Sequence, residues 1–229
     1  LNNNDAAVKN YQKAIEINPN YPEAHNNLGN VFRKLGEFKS SLDSLELAIS
    51  FKDDYAEAYN NLGSTWRELG NFDYAIRCFE QAIRLRPNYA KAFHNLALFY
   101  KDVGKKVKYL EMISKVVELK PNWSDAHLNL SRVKKYKKKD PHISLIHSFL
   151  SNKDLSLKDK INFNFTLAKI YEDLDEHEKQ FNHLNEANKL RKAESGYSFD
   201  KDEKLFAKIK YVFENPPIDL NNIVQSNLK

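Results

Sequence analysis

The four residues Asn26-Asn27-Leu28-Gly29 return as Asn60-Asn61-Leu62-Gly63, as His94-Asn95-Leu96-Ala97 and as Leu128-Asn129-Leu130-Ser131, each 34 residues after the last. A chain that repeats at such a period builds one supersecondary unit again and again, and each unit buries the apolar face that its neighbour exposes. One full copy carries Tyr59, Leu62, Gly63 and Trp66, then Ala75, Phe79 and Ala82, and closes on Pro87. Spacings of three and four put these residues on one face of each of two helices, and the small ones let the helices approach closely. Gly36, Gly70 and Gly104 fall where the first helix must stop, at a place that favours the left-handed conformation. Pro19, Pro87 and Pro121 end the second helices, each followed by Asn and an aromatic residue. The pattern predicts an all-α stack of helical hairpins.

The neighbouring copies fill the same places less strictly. The preceding one has His25, Leu28, Gly29, Phe32, Ser41, Leu45 and Ala48, with Asp53 in the proline's place; the following one has Phe93, Leu96, Ala97, Tyr100, Tyr109, Ile113 and Val116. Ala7, Tyr11, Ala14 and Pro19 match only a second helix, so the sequence opens in mid-pattern, as expected of a fragment of a longer protein. A fourth copy starts with His127, Leu130 and Ser131, but the cluster Lys134 to Lys139 replaces its turn and Asp140-Pro141 restarts the chain. Pro141 to Leu150 reads as one amphipathic helix, with Ile143, Ile146, His147 and Leu150 on a face. The motif returns in worn form through Leu167, Ala168, Tyr171, Leu174, Phe181, Leu184, Ala187 and Leu190, with Asp175-Glu176 standing in for the turn glycine. Lys201 to Phe213 is expected to form a capping helix with Leu205, Ile209 and Phe213 inward. The resulting division is a repeat array over 1–139, degenerate repeat-like helices and the cap over 140–213, and an extended tail or linker over 214–229.

Composition narrows the setting. No stretch approaches the ~20 apolar residues that span a bilayer, and no secretory signal pattern opens the chain. The single cysteine, Cys78, cannot form an internal disulfide, which fits a reducing, cytoplasmic compartment. The net charge of +5 is modest, and much of it lies in Lys134 to Lys139. That cluster is read as a solvated helix end complementing the helix dipole, with phosphate or nucleic-acid binding as the alternative; no nucleic-acid motif accompanies it.

The 34-residue period with its aromatic, Leu-Gly, Ala, Phe and Pro places is that of the tetratricopeptide repeat, which the chain resembles from Asp5 to about Leu130 and again from Ile161 to Arg191. The resemblance implies a right-handed α-α superhelix that holds other polypeptides. The Asn-Asn-Leu-Gly-Asn wording is similar to the repeats of O-linked N-acetylglucosamine transferases, where asparagines line the inner surface. Asn27, Asn61, Asn95 and Asn129 match them. The C-terminal third, through Asp140-Pro141-His142, Phe181-Asn182-His183 and Glu186 to Arg191, resembles the region that joins repeats to the catalytic domain of bacterial repeat-containing sulfotransferases. That resemblance implies a substrate-presenting arm whose catalysis lies beyond Lys229.

The candidate site is therefore a concave groove. Each asparagine carboxamide offers two donors and an acceptor, which suits a peptide backbone. The alternative is a hydrogen bond inside the residue's own hairpin. Asn30, Ser64, Arg33, Arg67, Lys91 and Lys101 lie around the ladder and suggest a ligand of mixed charge. The set of Lys, Asn and Arg with which chaperone-binding repeats grip a terminal carboxylate is matched only by Asn30, Asn61 and Lys91. No catalytic or metal site is expected. His177-Glu178 lacks a second histidine four residues on, His142 and His147 are five apart and share no helix face, and Cys78 reads as a small packing residue. No cofactor is implied. The partner is expected to be a protein or peptide, not a membrane or a nucleic acid, and the open solenoid ends could join two copies.

Overall fold

The computed structural model describes residues 2–196 and 199–214. Over these the chain is a run of α-helices with no strand. Helix α1 (Asn2–Ile17) is the lone second helix expected at the start. Three hairpins follow: α2 (Pro22–Leu35) with α3 (Phe38–Phe51), α4 (Ala56–Glu68) with α5 (Phe72–Leu85), and α6 (Ala90–Asp102) with α7 (Lys106–Leu119). Each hairpin packs on the next, and the first helices α2, α4 and α6 also touch in succession, so the pairs stack as a tetratricopeptide solenoid.

Contact between the paired helices is set by the small residues. A Cβ on Gly63 would lie 2.8 Å from Cε1 of Phe79, and one on Gly29 would lie 2.7 Å from Cγ of Leu45. Phe79, Leu45 and Ile113 are fully buried at the same place in successive copies. Burying each such side chain contributes roughly 1.5–3 kcal/mol. Ser41 occupies the place of Ala75, and its hydroxyl, enclosed by protein, is satisfied by Oγ1 of Thr65 at 3.0 Å.

The joints between hairpins repeat as closely as the hairpins. Tyr55, Tyr89 and Trp123 stand at the N-caps of α4, α6 and α8, and the last residue of each preceding hairpin, Lys52, Arg86 or Lys120, lies over that ring at 4.9, 5.0 and 5.6 Å. None of these N-cap side chains caps its helix by a hydrogen bond.

Helix α8 (Ser124–Ser131) stops after eight residues, and no antiparallel mate follows it. Residues 132–140 form an irregular turn, so the basic cluster is not the helix end its composition suggests. Tyr136 plugs that turn into the interior at 5% exposure. Lys134 pairs with Asp140, and Lys135 pairs with the buried carboxylate of Asp173, which also accepts the Tyr136 amide. The Asp140 side chain then caps α9 (Pro141–Leu150) by accepting from the His142 amide. Within α9, Ile146 and His142 face inward and His147, expected beside them, is exposed.

Helix α10 (Leu157–Asp173) packs on α8, α9 and α11 (His177–Ser195) and rebuilds a core from Phe163, Leu167, Ile170 and Tyr171 around Tyr136 and Ile146. On α11, Phe181 and Leu184 are exposed although the worn motif would place them inward; only Ala187 is buried there. In α12 (Phe199–Glu214), Ile209 is 41% exposed rather than inward, and the side chains of Leu205 and Phe213 lie outside the described residues; of the tail expected over 214–229, Glu214 is the last residue of this helix and the rest lies outside the described residues.

Candidate functional site

Helices α2, α4, α6, α8 and α10 are the first helices of their units, and the predicted groove residues lie on them. The asparagines are joined across repeats. Nδ2 of Asn61 donates to Oδ1 of Asn26 at 2.9 Å, and one repeat later Nδ2 of Asn95 donates to Oδ1 of Asn60 at 2.9 Å. Asn61 and Asn95 thus each bond to the asparagine that stands one place earlier in the motif of the preceding unit, not within their own hairpins. The Nδ2 group of each is committed in this way, that of Asn95 with a second contact to Oγ of Ser64 at 3.4 Å, and its Oδ1 is held in a fixed direction.

Among the described residues only Asn61 and Asn95 make this bond. Asn27 is exposed, and the helix that precedes α2 here is a second helix. Asn129 would need a partner at position 94, where the sequence has His instead of Asn, and no side-chain bond joins the two. Nε2 of His94 is buried without a hydrogen-bond partner, burial depresses its basicity, and its ring lies 4.6 Å from that of Trp123.

Two predicted groove residues are taken up by the fold. Arg33 makes a 2.6 Å ion pair with Glu68 on the next first helix and donates to Oδ1 of Asn30 at 2.9 Å. Ser64 donates to the Asn60 carbonyl. Lys91 and Lys101 are exposed and Arg67 is half-buried. The structure brings Lys91 and Asn95 together with His94 in a cavity of about 550 Å³, which Tyr89, Trp123 and Lys120 also line. His94 was not singled out by the repeat comparison. The signal was there, since it is the copy in which the first Asn of the motif is replaced.

The histidines of the break are also brought together. His127 Nε2 contacts the Pro121 carbonyl at 2.6 Å, its Nδ1 lies 2.6 Å from Nε2 of His142, and Nδ1 of His142 meets the Tyr136 hydroxyl at 2.8 Å. His142 finds its partner on another element, so its poor spacing with His147 is beside the point. Among the described residues no group of three or more His, Cys, Asp or Glu converges as a metal site. No helix among them is long and apolar enough to cross a membrane.

Known proteins share this arrangement of paired helices. Residues 1–36 match a family model described as TPR repeat, and residues 22–55 and 56–89 match models described as tetratricopeptide repeat. The chain is thus a carrier of tetratricopeptide repeats over its first 89 residues. Among solved structures it is similar to pilF of Pseudomonas aeruginosa at 20% identity and a TM-score of 0.62, with 90% of each chain covered. YrrB, a TPR protein with an unusual peptide-binding site, aligns at 20% identity and a TM-score of 0.54 over 79% of this chain and 91% of its own. TTC0263, a thermophilic TPR protein of Thermus thermophilus, aligns at 20% identity and 0.56 over 72% and 90%. At these identities the likeness is one of fold. No curated protein matches the sequence.

Proposed function

We propose that this chain is a protein-interaction scaffold that holds an extended segment of a partner polypeptide along α2, α4, α6 and α8. The observation that carries the reading is the Asn26–Asn61 and Asn60–Asn95 ladder ending at the cavity of Lys91, His94 and Asn95. A peptide lying there would donate backbone N–H groups to the oriented Oδ1 atoms of Asn61 and Asn95. Such contacts read the backbone more than the side chains. That YrrB is a peptide-binding repeat protein agrees with this use of the fold.

The test is the variant Asn61→Ala/Asn95→Ala, with peptides first recovered from a random-peptide phage library panned on the wild-type chain. Losing two hydrogen bonds at roughly 1 kcal/mol each predicts affinity weaker by about tenfold or more with the helix content retained. Equal affinity of the variant, measured by calorimetry, would refute the role of the ladder. A second reading, the substrate-presenting arm of a larger sulfotransferase, rests on the sequence resemblance of the C-terminal third. Sequencing the gene downstream decides it: a sulfotransferase domain there supports it, and its absence removes it. Phosphate or nucleic-acid binding through Lys134 to Lys139 is disfavoured, because Lys134 and Lys135 are held by Asp140 and Asp173.

A further inference from the structure

Where the repeat pattern breaks, α8 and α10 lie side by side without an intervening second helix, and a small cavity of about 160 Å³ opens between them. Its walls are Leu128 and Arg132 from the α8 side, Phe165 and Lys169 from α10, and Arg191 from α11. Three cations and two apolar side chains share this space. Lys169 is partly balanced, with Glu172 at 2.7 Å and Asp173 at 3.5 Å. Arg132 and Arg191 form no ion pair among the described residues. The guanidinium of Arg191 instead lies 4.6 Å from the centre of the Phe165 ring, which holds the group in place and leaves its N–H edge available.

We propose that this cavity seats a carboxylate side chain, with an apolar residue next to it, from an acidic segment of the partner polypeptide. The inference rests on the peptide-holding reading above and names the chemistry of the partner. The two arginines supply the planar, forked donors that match a carboxylate, and Leu128 with Phe165 gives its apolar neighbour a surface to cover. Glu172 and Asp173, which pair with Lys169 beside the cavity, favour a single compact anion over a phosphodiester chain, which would bring several negative charges near them. The cavity's size agrees with one side chain rather than a folded domain.

The experiment uses the full chain. A random-peptide phage library is panned on it, and the strongest peptide is measured by fluorescence anisotropy against wild type, Arg132→Gln and Arg132→Gln/Arg191→Gln. Recovered peptides should carry Asp or Glu beside Leu, Ile or Phe, and the double variant should bind roughly tenfold to a hundredfold more weakly. Arg132 is exposed and unpaired, so its single substitution leaves the fold intact and should by itself weaken binding about tenfold even where the double variant is unstable. Peptides without acidic enrichment, or undiminished binding to a folded variant, overturn the assignment and leave the groove reading standing. Recovery of no peptide overturns both. Binding of a fluorescein-labelled single-stranded RNA that the arginine substitutions abolish, in place of peptide binding, overturns it in favour of a polyanion site.

Discussion

Nδ1 of His127 and Nε2 of His142 face each other at 2.6 Å inside the break in the repeat array, and both histidines are buried. The protons of this pair are fixed by its far end. The Pro121 carbonyl can only accept, so His127 carries its proton on Nε2 and offers a bare Nδ1 to Nε2–H of His142. Nδ1 of His142 is then the acceptor for the Tyr136 hydroxyl. His25 meets the Pro19 carbonyl in the same way at 2.8 Å, which shows that the first contact belongs to the repeat and the rest to the break.

Protonating His127 would set its Nδ1–H against Nε2–H of His142, and protonating His142 would remove the acceptor of the Tyr136 hydroxyl, so the junction should be sensitive to acid. Burial depresses His127, and burial together with the nearby His127 and Lys134 depresses His142 to about 4. Asp140 opposes this only partly. A base whose folded pKa lies below its unfolded value contributes stability that is complete above about 6.5 and is lost as the pH falls towards 4. The expected loss is on the order of 2 kcal/mol after allowance for partial screening. Thermal melts at pH 7.5, 6, 5 and 4.5 should show a falling midpoint that His127→Gln/His142→Gln flattens. A midpoint that does not move over this range would contradict the tautomer assignment.

Gly63 should not tolerate a methyl group. Its would-be Cβ lies 2.8 and 2.9 Å from two ring carbons of the fully buried Phe79, with the Ala75 carbonyl behind at 3.0 Å. Gly63→Ala is expected to lose about 1–3 kcal/mol by overpacking. The next copy already carries Ala97 with Ile113 in the ring's place, so adding Phe79→Ile should recover part of the loss. Urea unfolding of the three proteins checks the order.

Cys78 is 9% exposed and clusters with Leu45 and Leu62. Burial, helped by the charge of Glu46, pushes its thiol up to about 11. The thiolate needed for alkylation is therefore scarce at pH 8. Iodoacetamide should leave the native protein unmodified for hours and label it fully in denaturant, with mass spectrometry as the readout. Rapid labelling of the folded chain would place Cys78 outside the core.

The hairpins were legible in the sequence because they are written three times over. Leu62, Phe79 and Ala82 declare their burial by period alone, and Gly36, Gly70 and Gly104 declare the turns. The break carried no such redundancy. Nothing local marks Tyr136, set among five lysines, as a core residue; its burial depends on Asp173, 37 residues further on, accepting its amide. The ladder was legible as a set of positions but not as a set of bonds, since the acceptors Asn26 and Asn60 are the neighbours of the residues that the spacing singles out. Phe181 on α11 shows the opposite failure. The worn motif places it inward, yet no regular helix pair lies beyond to cover it among the described residues.

The turn at Asp175 shows how closely the worn unit still obeys the repeat. Gly36, Gly70 and Gly104 sit at φ of 80°, 75° and 71°, and Asp175 takes the same conformation at 58°. The hydrogen bonds match as well: Gly36 N donates to Arg33 O and Glu37 N to Phe32 O, just as Asp175 N donates to Glu172 O and Glu176 N to Tyr171 O. This double closure satisfies carbonyls that the helix end would otherwise leave open. A left-handed backbone costs an ordinary side chain roughly 1–2 kcal/mol, less for Asp and nothing for Gly. Asp175→Gly should therefore hold or raise stability by up to about 0.5 kcal/mol, because relief of strain is offset by the freer unfolded chain. Asp175→Val should lose about 1–2 kcal/mol. Chemical denaturation followed by circular dichroism orders the three, and a valine variant as stable as the glycine one would mean that the turn between α10 and α11 is not held in this conformation.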